Sequence, residues 1–202
     1  MSLLFRSLLL LSLLGLCGPG PCYAESWALP AEVNDTNTTV SFEVDSTFHK
    51  VVGTTSGLSG SIVQSDPHDP LSIHVDMSIP VSSFDTDWDA RDEKLAAVMG
   101  ATLFREVRFS STKLHENCHP IRLRSAGHCA GTLEGTLTIR DVSKQVALPI
   151  EIVRHGEKDI ISGRLTIDWA EYHVEDPSIL IAKLDPSVTI LYSTQIPLRK
   201  GA

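Results

Sequence analysis

Six short runs of the chain alternate apolar and polar side chains with a period of two, as strands with one wet face do. In TTVSFEVD, Val40, Phe42 and Val44 alternate with Ser41, Glu43 and Asp45. LSIHVDMSIP sets Ile73, Val75, Met77 and Ile79 against Ser72, His74, Asp76 and Ser78. GTLEGTLTIR, VALPIEI, DIISGRLTIDW and SVTILYSTQIP repeat the pattern, the third of these carrying it through Ile161, Leu165, Ile167 and Trp169. VVGTTSGLSGSIVQ has strand composition but is broken by Gly53, Gly57 and Gly60, where a curling sheet bends or lets backbones approach. LTIRDVSKQVALPI reads as two strands joined through Asp141 and Ser143, and so short a connection makes them antiparallel neighbours. About eight such strands predict an all-β, antiparallel sandwich or barrel.

One stretch breaks the alternation. DWDARDEKLAAVMGATLFREVRF, residues 87–109, opens with charges and alanines inside an interruption at 83–105. At helical spacing it places Trp88, Leu95, Val98 and Met99 on one stripe and Arg91, Asp92, Glu93 and Lys94 on or beside the other face. The expected helix lies near residues 86–100, with Asp87 or Asp89 as N-cap and Gly100 at its end. Residues 25–37, ESWALPAEVNDTN, show no period and predict a flexible lead-in to one domain over 38–200.

Charge and the N-terminus narrow the classes. A formal charge of −8 argues against a nucleic-acid partner, which requires a positive stripe, and against an anionic membrane surface. MSLLFR, the apolar run SLLLLSLLGLC and CYA ending at Ala24 form a secretory signal peptide over residues 1–24. That run is too short for a good membrane span and no later stretch is longer, so the mature chain is expected to be periplasmic or secreted, without a transmembrane span. A retained N-terminal anchor is the alternative reading.

Cleavage leaves Cys118 and Cys129, around HPIRLRSAGH, in an oxidising compartment. A disulfide closing that loop contributes about 2–3 kcal/mol in the chain-entropy model. A redox-active pair, the competing reading, calls for CxxC spacing and a helix N-terminus. His115 and His119, with Glu116 and Cys118 between them, suit metal ligands only on a helix, and their surroundings read as strand and turn, so no metal is expected. No GxSxG elbow, phosphate-cradling loop or dinucleotide fingerprint occurs, and the carboxylates of Asp85, Asp87 and Asp89 have the spacing of a solvated helix start. Neither catalytic residues nor a cofactor are expected.

The order SFEVDSTFHKVVGTTSGLSGSI, SFDT with ARDEKL, LFREVRFSSTKL and GTLTIRDVSKQVALPIEI resembles the YceI-like family of polyisoprenoid-binding, lipocalin-like periplasmic proteins. The four segments stand in the family's order over nearly the whole mature chain. Lys94 replaces the family's histidine after RD, Asp141 its glycine after LTI, and FREVRF its proline-containing strand entry. The resemblance implies a lipocalin-like antiparallel β-barrel with a helical flap over 83–100.

An eight-stranded barrel either fills with its own side chains or holds one extended ligand. The ligand-lining positions expected here are Phe42, Val44, His49, Ile73, Val75, Met77, Arg91, Leu95, Val98, Phe104, Leu137, Ile139, Leu148 and Ile150. Arg91, steadied by Asp92, would take a carboxylate or pyrophosphate head; an exposed surface pair is the plainer reading. His49 either spans the barrel mouth or satisfies local backbone. The expected function is non-catalytic carriage or sequestration of an isoprenoid or fatty-chain lipid, each buried CH₂ contributing roughly 0.8 kcal/mol. Two alternatives stand beside it: a packed interaction module for a membrane redox or stress-response protein or a second copy of the chain, and an enzyme acting on a lipid.

Overall fold

The computed structural model describes residues 26–69, 71–115, 118, 123, 126–178 and 183–199, and among them are eleven strands, all paired antiparallel, a ten-residue α-helix and two short 3₁₀ turns. The strands are β1 (Ser26–Trp27), β2 (Ala31–Asn34), β3 (Thr38–Ser46), β4 (Lys50–Thr54), β5 (Ser59–Gln64) and β6 (Ile73–Pro80). After helix α1 (Asp89–Val98) come β7 (Glu106–His115), β8 (His128–Ile139), β9 (Val142–His155), β10 (Lys158–Asp168) and β11 (Leu184–Arg199). The ladder runs β2-β5-β6-β7-β8-β9-β10-β11-β3-β4, with β1 added along the end of β11.

This sheet curls on itself without a continuous closing ladder. Its seam, between β4 and the β5–β6 side, is tied instead by single contacts. Thr54 and Asp85 exchange both backbone bonds, at 2.8 and 3.0 Å, and the Asp35 carboxylate accepts from Gly57 N (2.7 Å) and Leu58 N (3.0 Å). Gly57 takes φ +68°, a conformation that a side chain disfavours.

Several elements depart from the sequence pattern. The lead-in contains β1 and β2, too short to display a period but well anchored. Val33 is buried, and Trp27 Nε1 donates to the fully buried Asp159 at 2.8 Å, whose carboxylate also receives Arg154 Nε at 2.5 Å. The glycine-broken run 51–64 divides into β4 and β5, which with β1 and β2 brings the strand number above eight. The β8–β9 turn is Arg140-Asp141, with Arg140 at φ +55°, and Ser143 lies inside β9 opposite Thr138. Trp169 belongs to a short 3₁₀ turn, Trp169–Tyr172, beyond β10.

The helix forms where expected, with different ends. Trp88 is the N-cap residue without any side-chain cap, because Asp87 turns left-handed (φ 61°) and its amide bonds Asp85 Oδ1. Leu95, Val98 and Met99 face inward, and Trp88, although 55% exposed, also borders the barrel's interior. Gly100, at φ +65°, ends the helix as the pattern predicts. From the β8–β9 turn, Arg140 donates to the Val98 carbonyl at 2.7 Å and ties the helix's last turn to the sheet. No helix among the described residues is long and apolar enough to cross a membrane.

Candidate ligand-binding site

The period-two faces of the strands point into the barrel, but its two ends are filled differently. At the end where β5 and β9 finish and β8 and β11 approach the chain's other connections, Ile62, Ile73, Val75, Leu114, Leu133, Ile150, Ile152 and Ile196 interlock with Val33. Cys118 and Cys129 are disulfide-bonded there, with Cα atoms 5.2 Å apart. At the other end the inward side chains stop short of one another and leave a cavity of about 510 Å³.

Its walls come from the mouth-side halves of the strands: Phe42 and Val44 of β3, Met77 and Ile79 of β6, and Phe109 of β7. Leu137 and Ile139 of β8, Leu148 of β9, Leu165 and Ile167 of β10, and Val188, Ile190 and Tyr192 of β11 complete them. Rings fit because glycines face them. A Cβ on Gly53 would lie 2.0 Å from Phe42 Cζ, and one on Gly163 would lie 2.5 Å from the Tyr192 hydroxyl. Phe42 and Gly53, like Tyr192 and Gly163, are direct cross-strand partners.

Most polar lining groups gather at the mouth, where the connections after β3, β6 and β10 meet, while Ser41, Thr55 and the Tyr192 phenol lie farther along the strands. Ser46, His49, Thr86, Arg91, Lys94 and Ser178 all belong to those connections, the last strand residue before them, or α1. Thr86, nearly fully buried, organises the start of α1. Asp92 Oδ1 accepts from Thr86 N (3.0 Å) and Oγ1 (2.5 Å), while Arg91 Nε donates to Thr86 Oγ1 at 2.7 Å and Arg91 Nη2 to the Thr86 carbonyl. Arg91 also lies 5.5 Å from the centre of the Trp88 ring. The expected direct Arg91–Asp92 contact is replaced by these two separate contacts to Thr86, since consecutive helix residues point about 100° apart.

Of the residues expected to line a cavity, Phe42, Val44, His49, Met77, Arg91, Leu95, Leu137, Ile139 and Leu148 do so. Ile73, Val75 and Ile150 point inward but sit in the packed end, and Val98 is buried in the core beneath the helix. Phe104 lies outside the cavity against Gly100, with the Arg140 guanidinium 5.4 Å from its ring. His49 shapes its own turn, its carbonyl accepting from Ser46 Oγ at 2.5 Å, and its side chain also reaches the lining. The sequence list omits Leu165, Ile167, Val188 and Ile190, although the same alternation marks them; Lys94 and Met99 are lining residues contributed by the helix.

Among the described residues no cluster of three His, Cys, Asp or Glu side chains is placed to hold a metal ion. His115 Nε2 stands 2.7 Å from a Glu134 carboxylate oxygen without hydrogen-bond geometry. His119 and Glu116 lie outside the described residues.

A family model described as YceI-like domain matches residues 32–196. No curated protein matches the chain. Among solved structures, Burkholderia cenocepacia BcnA superposes with a TM-score of 0.65 at 18% identity, over 78% of this chain and 95% of that one. A polyisoprenoid binding domain from Saccharophagus degradans, implicated in plant cell wall breakdown, gives 0.63 at 12% identity, over 84% and 99%. The Campylobacter jejuni YCEI protein gives 0.57 at 21% identity, over 74% and 85%. At these identities the likeness is one of fold.

Proposed function

Starting from the chain's membership of the YceI-like domain family, we propose that it is an exported, non-catalytic lipid-binding protein that holds an isoprenoid or long acyl chain in the barrel. The observation that carries this reading is the cavity itself. It is about 510 Å³ of space, walled chiefly by aliphatic and aromatic side chains, with no acidic residue in its lining, within the size range of small-molecule sites. Burial of a tail against such walls contributes roughly 0.8 kcal/mol per CH₂, enough to hold a long chain with few directional contacts. The polyisoprenoid-binding description of a structural neighbour agrees with this use. Export rests on the signal-like residues 1–24, which lie outside the described residues, and is in keeping with the Cys118–Cys129 disulfide.

The test is mass spectrometry of organic extracts from mature protein purified from its native compartment, against a mock purification. A stoichiometric long-chain compound is the expected result. A protein that is empty and also fails to take up added lipids would turn the assignment to a packed interaction module. Met77→Arg, which puts a charge on the cavity wall, is expected to lower lipid affinity at least tenfold while the fold persists. Unaltered affinity in a folded variant would place the ligand elsewhere.

A further inference from the structure

Acidic residues outnumber basic ones in this chain, 25 to 17, yet none lines the cavity. The charged groups that do are Arg91, Lys94 and Arg108, with His49 beside them as a titratable neighbour. They are not equivalent. Arg108 is paired with Glu106 at 2.8 Å and its side chain is 70% exposed, so it contributes its stem. Arg91 is engaged by Thr86 through Nε and Nη2. Lys94, one helical turn further along α1 at the mouth, has no hydrogen bond or ion pair among the described residues. Nearby Asp176 accepts from Ser178 N at 2.8 Å, and its carboxyl is held below the usual range first by Ser178 and less by Lys183 and Lys94.

From these observations we infer that the ligand is an amphiphile whose anionic head, a carboxylate or a phosphate, is received by Lys94 at the mouth. The inference rests on the lipid-binding reading above and narrows it to a head chemistry. A neutral alcohol of the same tail would bury the same apolar surface but leave the ammonium without a charged partner. Charge-assisted contacts are about twice as strong as neutral ones. Lys94 is thus a specificity-determining residue, and the aliphatic walls supply the affinity common to all tails.

The experiment is a set of binding titrations of the mature, delipidated protein, below the aggregation concentration of each probe. The probes are palmitate, geranylgeranyl phosphate, hexadecanol and geranylgeraniol. We expect an acid or phosphate to bind about tenfold more tightly than the alcohol of the same tail. Lys94→Gln should abolish that difference by lowering the affinity of the charged probes, and Lys94→Arg should largely preserve it. Preference for palmitate over geranylgeranyl phosphate, or the reverse, identifies the head. Equal affinity for charged and neutral heads, or discrimination that survives in Lys94→Gln, overturns the role of Lys94 while leaving lipid binding intact. Failure of all four probes overturns the lipid-binding reading itself.

Discussion

Tyr192 is the lining residue of β11 farthest from the mouth, and its position depends on a missing side chain opposite. Gly163 pairs with it across the β10–β11 ladder, and any Cβ there would lie 2.0 Å from the Pro149 carbonyl oxygen as well as against the phenol. The ring therefore lies across the glycine, and its hydroxyl donates to the Pro149 carbonyl at 2.5 Å. Burial pushes the Tyr192 phenol well above the ordinary tyrosine value. A group whose pKa rises on folding contributes stability that is complete below its unfolded value, about 10, and is lost as the pH climbs toward the folded one. Tyr192→Phe is therefore expected to cost about 1 kcal/mol near neutrality from the lost hydrogen bond. Above pH 10 the gap between the parent and Tyr192→Phe should shrink, because only the parent loses stability through this group. Burial also raises the phenol of Tyr172, but that residue is present in both proteins and cancels. Urea denaturation at pH 7 and pH 10.5 checks the sign, and a gap that widens in alkali would contradict the assignment.

At the scale of elements, α1 is held at both ends by groups outside it. Its start is fixed by Thr86, between Arg91 and Asp92, and its end by Arg140 from the β8–β9 turn. Thr86→Val keeps the shape but removes the hydroxyl that accepts from Arg91 and donates to Asp92. We expect a loss of about 1–2 kcal/mol and faster amide hydrogen exchange in α1, with β8 and β9 unaffected. Exchange rising equally in all three would mean that Thr86 supports the whole fold and not the helix. Little of this network is legible in the sequence. The long strands β3, β6, β8, β9, β10 and β11 announce themselves because each has enough residues to repeat a period of two, whereas β1 and β2, of two and four residues, have not. Alanines, charges and Gly100 mark the helix, but its cap follows from the left-handed turn at Asp87, a conformation that composition does not encode. The contacts of Arg91 and Asp92 depend on where Thr86 is placed by the preceding turn, a tertiary matter.

For the whole molecule, the consequential fact is that one barrel is solid at one end and hollow at the other. Alternation states which face a residue belongs to and is silent on its height along the barrel. That is why Ile73, Val75 and Ile150 share a pattern with Met77, Ile79 and Leu148 yet pack in the solid end, while the latter three line the cavity. The division predicts that stability and binding respond to different substitutions on neighbouring strands. Ile152, 1% exposed in the solid end, has no room around it, so Ile152→Ala leaves a new void and should cost about 2–5 kcal/mol. Ligand affinity, measured well below the melting transition, should change less than twofold. Leu165 already borders open space and is only partly buried, so Leu165→Ala enlarges an existing hollow and should cost about 1 kcal/mol. Its effect on ligand affinity should be the larger one, because the lost methyls face the tail directly. Thermal melts and lipid titrations on the two variants form a crossed comparison. If Ile152→Ala weakens binding as much as Leu165→Ala, the two ends are mechanically coupled and the solid half is part of the site; if the responses separate, the packed half is a foundation on which the cavity is built.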